Sequence, residues 1–253
     1  MTALGAGLAL LVGFVLGLLG GGGSVLAVPI LVYALHVPVK PAIATSLIVV
    51  GLVAFIGFLS HVRQGTVATK VALVFGPFAV VAAYAGAVFA EHISGETQLI
   101  IFAVVGLAGS AMMFHGTASK SPPGDPEAYR FVGDGKTVVL LALQGVAVGL
   151  LTGIIGVGGG FLIVPALVLI AKLPMRLAVG TSLLIITMNA LSGFAGYAGS
   201  VEIDWNLVAW FSAIAAVGSL TGALLSKRVP QRRLRHVFGV LLIGVSLYVL
   251  YRR

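Results

Sequence analysis

Few side chains in this sequence are equipped for chemistry, and those that are stand in two matched places. There is no cysteine, which removes thiolate nucleophiles, thiolate metal sites and disulfides. The five histidines are scattered near the ends of apolar runs, without an H-E-x-x-H or paired carboxylates, so neither a metal cluster nor an acid–base pair is on offer. No enzyme, no metal and no cofactor is therefore expected. What remains is small, polar and uncharged. Gly20, Gly21, Gly22, Gly23 and Ser24 interrupt the apolar stretch LLGGGGSVLAVPILV, and Gly156, Gly158, Gly159 and Gly160 interrupt GIIGVGGGFLIVPALV. Downstream of each break comes a hydroxyl pair, Thr45–Ser46 or Thr181–Ser182, and the second is followed by Asn189, the only asparagine inside an apolar run.

These groups suit one kind of chemistry. A helix restarting after a glycine break has first-turn N–H groups without intrahelical partners and carries about half a positive charge at that end. An anion is the natural ligand of such an end. The restarts are expected at Ser24 and at Gly160. The candidate anion-binding set is Gly21, Gly22, Gly23, Ser24, Thr45, Ser46, Gly158, Gly159, Gly160, Thr181, Ser182 and Asn189. Competing readings stand beside it. Glycines also let membrane helices pack closely, Ser and Thr hydroxyls bond their own helix carbonyls, and Asn189 or Gln144 could hold a neighbouring helix. A dinucleotide site is excluded, because the G-x-x-G-x-G spacing is wrong and no ribose-binding acid follows.

The elements that must position these groups follow from composition. Residues are 59% hydrophobic and 9% charged, against about 25% charged in soluble domains. Apolar runs cover 3–36, 42–60, 71–90, 99–114, 137–171, 177–198, 207–226 and 237–251, and roughly 20 apolar residues span a bilayer. The fold class is an all-α polytopic membrane protein. The net charge of +8 does not point to nucleic acid, because the cations lie in loops beside the runs and form no stripe interleaved with aromatics.

Shifted by 136 positions, residues 17–94 match 153–230 without a gap at 22 of 78 positions. The chain thus reads as a first repeat over 1–114, a polar linker over 115–136 and a second repeat over 137–253, in one integral membrane domain. Loop charge reverses between the copies. Arg63 and Lys70 correspond to a loop with Glu202 and Asp204, whereas the loop with Glu91 and Glu96 corresponds to Lys227, Arg228, Arg232, Arg233 and Arg235. Because cations mark the cytoplasmic side, the repeats are expected to be inverted. Each then crosses the membrane an odd number of times. Three crossings follow each glycine motif, so the glycine segment must enter and return. Residues 137–171 would make a single helix of about 52 Å, too long for one span of about 30 Å. A glycine-broken helical hairpin therefore opens each repeat, giving about five helical segments per half. Both termini are expected outside and the linker inside, although Arg252 and Arg253 would favour the inside.

No Asp or Glu lies inside a run, which argues against a carboxylate proton relay or Na⁺ site. His61 is the candidate for protonation, and so for proton coupling, with an interfacial role as its competitor. Lys40, Arg63, Lys70 and Arg176 are pore-mouth candidates, or orientation and lipid anchors. Trp205, Trp210, Tyr248 and Tyr251 fit an interfacial belt.

GLLGGGGSVLAVPILV, GLLTGIIGVGGGFLIVPALV and the trailing AVGTSL resemble the sulfite exporter TauE/SafE family of permeases, over nearly the whole chain. The resemblance implies a multi-pass secondary transporter of the bacterial cytoplasmic membrane. It implies a small sulfur-containing anion as partner, such as sulfite or an organosulfonate. One departure is that Ser24 is matched by Gly160, so the half-sites are unequal. The expected mechanism is alternating access, with the anion held between the broken-helix starts. An anion channel, or a carrier of a different small anion, is the alternative. The anion, the direction, the coupling ion and the oligomeric state are not legible in the sequence.

Overall fold

The computed structural model describes residues 3–115, 135–169, 171–226 and 228–252. The expected polar linker lies almost wholly outside them, as do Lys227 and Arg253. The described residues form α1 (Ala3–Leu19), α2 (Gly22–Pro29), α3 (Val39–Arg63), α4 (Thr69–Ala90), α5 (Gly95–His115), α6 (Gly135–Ile155), α7 (Gly160–Leu169), α8 (Met175–Tyr197), α9 (Trp205–Ser226) and α10 (Gln231–Tyr251), with no strand among them. α2 continues into a short π-helix, Ile30–Ala34. Pro29 cannot donate to the carbonyl four residues back, and the widened turn follows it directly. Seven helices, α3 to α6 and α8 to α10, are long and apolar enough to cross a bilayer. α1, α2 with its π extension, and α7 are shorter. The pairs α1–α2 and α6–α7 are the glycine-broken hairpins that run length required.

Proline and aspartate set several starts. Pro38, Pro174 and Pro230 stand at the N-caps of α3, α8 and α10, where a fixed φ and a missing N–H cost nothing. Asp204 Oδ1 accepts the N–H groups of Asn206 and Leu207 and caps α9. The outward faces are apolar: Leu73 and Val81 on α4 are each 72% exposed. Such a surface calls for lipid rather than water.

Small residues bring the helices together. A Cβ added at Gly13 or Gly17 would overlap the main chain of Ala215 or Ser219, and one at Gly149 or Gly153 the main chain of Ala79 or Ala83. The numbers rise together in both cases, so α1 runs parallel to α9 and α6 parallel to α4. By the same test α3 and α8 are antiparallel, since Gly51 faces Ala190 and Gly57 faces Leu183, and so are α5 and α10, where Gly106 faces Ser246 and Gly109 faces Leu242. The contacts come in exchanged pairs. Adding 136 to one partner of Gly13–Ala215 and subtracting it from the other gives Gly149–Ala79, and Gly17–Ser219 gives Gly153–Ala83 in the same way.

Candidate functional site

The helix breaks are built from glycine for two different reasons. Gly20 and Gly156 adopt left-handed φ of +74° and +70° and close α1 and α6. Their N–H groups bond the carbonyls of Leu16 at 2.8 Å and Thr152 at 2.7 Å, the left-handed C-terminal turn that glycine makes without a Cβ penalty. Gly158 and Gly159 are left-handed too. Gly21, Gly22 and Gly23 are not; they are glycines because something is close. A Cβ at Gly21 would overlap the Gly160 carbonyl, and one at Gly23 would overlap Val12 and Leu16. At Gly22 the neighbours are side-chain carbons of Leu19 and Val15 rather than main chain.

α7 starts at Gly160, as expected, whereas α2 starts at Gly22, two residues ahead of the expected Ser24. Ser24 is buried inside the first turn and donates its hydroxyl to the Gly21 carbonyl at 2.7 Å. The two starts meet: Gly21 lies against the main chain of Gly160, and the Ser24 hydroxyl flanks the same glycine. The first N–H groups of α2 and α7 have no carbonyl in their own helix to reach, and α2 has no side-chain cap.

The arriving helices differ, because their last carbonyls are largely engaged. Leu16 and Leu19 accept from the N–H groups of Gly20 and Gly21. Thr152 accepts from Gly156, Gly153 from the Tyr197 hydroxyl at 3.2 Å, and Ile154 from the Gln98 amide at 2.6 Å. Gly156 accepts from Ser46 Oγ at 2.9 Å. In α7 the N–H groups of Leu162 and Ile163 both reach the Gly159 carbonyl at 2.9 Å. The foremost N–H groups of α2 and α7, those without an intrahelical acceptor, face a junction whose carbonyls are largely taken, which favours negative charge.

Each serine of the hydroxyl pairs lies across from the break of the other half. Ser46 reaches Gly156, and Ser182 stands against Gly20. Both also donate to their own helix, Ser46 to Ile43 and Ser182 to Val179, each at 2.8 Å, so the intrahelical bonding open to Ser and Thr is present alongside the contact. The Thr181 hydroxyl is engaged elsewhere, accepting the Ala68 N–H at 2.8 Å where α4 begins. Thr45 is buried on α3.

Asn189 is fully buried, and neither its Nδ2 nor its Oδ1 has a hydrogen-bond partner. Most buried side-chain polar atoms in folded proteins are bonded, so an orphaned amide calls for a specific cause. On α8 it continues a face at helical spacing: Val179 and Ser182 stand against Gly20, and Ile186 stands against Gly158 and Gly160. Asn189 is one turn beyond Ile186. Gln144 on α6 is likewise buried at both amide atoms without a partner.

The basic candidates separate to opposite ends of α3. Lys40 donates to the Glu91 carbonyl at 3.0 Å. Arg63 closes α3 at its other end. Arg176 opens α8 one turn before Gly180, which packs on Thr66 in the α3–α4 loop, so Arg63 and Arg176 share that end. Lys70 follows in the first turn of α4. His61 is buried near the same loop, its Nδ1 sharing a hydrogen bond with the Thr66 hydroxyl at 2.8 Å. Sequence reasoning missed Gln98 and Tyr197. Gln98 sits at the edge of its apolar run, and its counterpart 136 positions on, Leu234, is apolar, so the repeat gives no signal there. Among the described residues no group of three or more His, Asp and Glu is placed to hold a metal ion.

A bundle of apolar spans, closed around two interrupted helices whose starts touch deep in the protein, defines a multi-pass membrane transporter rather than an enzyme. The chain belongs to the TauE family, described as "Sulfite exporter TauE/SafE", whose sequence profile matches residues 5–249. A probable membrane transporter protein of Xylella fastidiosa (strain 9a5c) is 34% identical over 250 residues, covering 96% of this chain and 92% of its own. The probable membrane transporter protein YdhB of Bacillus subtilis (strain 168) is 26% identical, covering 87% and 89%. The probable membrane transporter protein MJ0441 of Methanocaldococcus jannaschii is 28% identical, covering 96% and 94%. No solved structure matches the chain.

Proposed function

We propose that this protein is a secondary transporter that moves a small sulfur-containing anion, sulfite or an organosulfonate, across the bacterial cytoplasmic membrane by alternating access between two inverted repeats. The observation that carries this reading is the contact between the starts of α2 and α7, with a buried, unpartnered Asn189 on α8 one turn beyond Ile186, which packs on Gly158 and Gly160. Half-helix N-termini aimed at a midplane site are how discontinuous helices take anionic groups. Inversion is supported by the antiparallel packing of α3 on α8 and of α5 on α10, since in each pair one helix is the 136-shifted copy of the other. The anion would lie where Gly21 now meets Gly160, with Ser24, Ser46, Ser182 and Asn189 within the surrounding shell. Arg63 and Arg176 would draw anions to one end and Lys40 to the other.

The test is exchange in proteoliposomes loaded with sulfite. External sulfite or methanesulfonate should accelerate efflux of labelled sulfite along a saturable curve, without net current. Gly21→Val should abolish exchange while the protein still inserts. A non-saturating conductance would favour the channel, and wild-type exchange by Gly21→Val would remove the site.

A further inference from the structure

The site's inventory of charge and hydrogen-bond groups selects among sulfur anions, given the reading above that a sulfur anion binds there. No Lys, Arg, Asp or Glu occurs within residues 3–39, 41–62, 71–90, 137–171 or 177–201; the charged residues of α3, α4, α6 and α8 stand at the helix ends, at Lys40, Arg63, Lys70, Lys136 and Arg176. With the cations of these helices confined to their ends, positive potential at the junction comes chiefly from the helix starts themselves. Two N-termini together supply about one elementary charge, enough to balance one negative charge and no more. Burial of a dianion costs about four times that of a monoanion of similar size, because the solvation penalty grows with the square of the charge.

The second observation is independent of charge. The Asn189 side chain offers donors at Nδ2 and an acceptor at Oδ1, and both are buried without partners. An anion that only accepts would satisfy Nδ2 and leave Oδ1 facing negative oxygen. A ligand with its own O–H satisfies both atoms at once. The serine hydroxyls at the breaks are already committed, Ser24 to the Gly21 carbonyl, Ser46 to those of Ile43 and Gly156, and Ser182 to that of Val179.

We infer that the site takes a singly charged oxyanion that keeps a hydrogen-bond donor of its own, hydrogensulfite rather than the sulfite dianion, and that it rejects sulfate. Asn189 is the residue that reads the donor, and the paired helix starts read the single charge. The ligand thus brings its own proton across, without a titrating carboxylate in the membrane.

The test is binding to the purified, full-length protein, followed by thermal stabilisation and calorimetry, with four probes. Sulfite should bind with an affinity that falls about tenfold per pH unit above its second ionisation, as mass action on the protonated form requires. Methanesulfonate, a monoanion without a donor, should bind at least about tenfold more weakly, with no such pH dependence. Sulfate should not bind. In Asn189→Val, hydrogensulfite and methanesulfonate should bind equally, because the group that tells them apart is gone. Sulfate binding as tightly as sulfite, or a sulfite affinity that is flat or rising with pH, would overturn the inference. Hydrogencarbonate, the fourth probe, separates the two layers of the argument. If it binds and no sulfur anion does, the sulfur assignment falls and the rule of single charge plus donor stands; if none of the monoanions binds, both fall.

Discussion

Replacing Asn189 by valine should make the empty protein more stable and the transporter inactive. Valine is the residue the first repeat carries at the corresponding position, Val53, so the helix and its surroundings accept that shape in a related setting. Valine and asparagine have nearly equal helix propensity, so the backbone contributes little to the difference. The amide now buries a donor group and an acceptor without partners. Leaving such groups unsatisfied costs about 1–3 kcal/mol in water-soluble folds, and membrane hydrogen bonds average about 0.6 kcal/mol. Removal should therefore gain about 1 kcal/mol, a rise of about 2–4 °C in Tm for a chain of this size. The wild type should gain more once ligand is added, about 2.7 kcal/mol at a hundredfold excess over Kd, and Asn189→Val should lose most of that gain. The assay is thermal unfolding in detergent with and without sulfite, paired with exchange in proteoliposomes. A variant that melts lower than wild type yet keeps the full sulfite-induced rise would refute the reasoning, because Asn189 would then be holding helices rather than ligand.

Other substitutions test neighbouring parts of the argument. Gly21→Ala should lose transport while Gly22→Ala keeps most of it, because the first new methyl strikes the Gly160 main chain and the second meets side-chain carbons of Leu19 and Val15 at looser range; flux at matched expression decides. Gly20→Ala and Gly156→Ala should each cost about 1–2 kcal/mol from the left-handed backbone alone, read as a lower Tm. Ser46→Ala should destabilise by about 1 kcal/mol, through the lost bond to Gly156, and Ser182→Ala by clearly less, because its bond is to its own helix. Gln98→Leu and Tyr197→Phe should each destabilise, and the double variant should cost less than their sum, since both donate to the Ile154 carbonyl; a double-mutant cycle on Tm measures the shortfall.

Much of the frame was legible because membrane burial writes itself into composition. The runs at 42–60, 71–90 and 207–226 lie within α3, α4 and α9, and the length of 137–171 alone demanded a turn. The glycine breaks were legible as breaks. Their internal logic was not: only Gly20 in the first cluster needs a left-handed φ, while Gly21 and Gly23 answer to neighbours some 140 residues away or in the preceding helix. Contact across that distance has no local signature, and α2 begins at Gly22, two residues ahead of the Ser24 that the sequence suggests. Packing glycines and breaking glycines also coexist. Gly13, Gly17, Gly149 and Gly153 do what small residues do between membrane helices, which the competing reading had assigned to the breaks. Tyr197 and Gln98 carry no signal in the sequence, because a polar residue near a run's edge reads as interfacial and its carbonyl partner lies on a distant helix.

Where Gly21 rests on Gly160, main chain touches main chain with no side chain between. Side-chain rotations, which take picoseconds to nanoseconds, have nothing to swing aside at such a seam; parting it takes collective helix motion, in the range of microseconds to milliseconds. If the proposed pathway runs through this seam, a membrane crowded with idle copies would stay electrically tight, and the quickest possible turnover would be set by the tempo of helices rather than of rotamers.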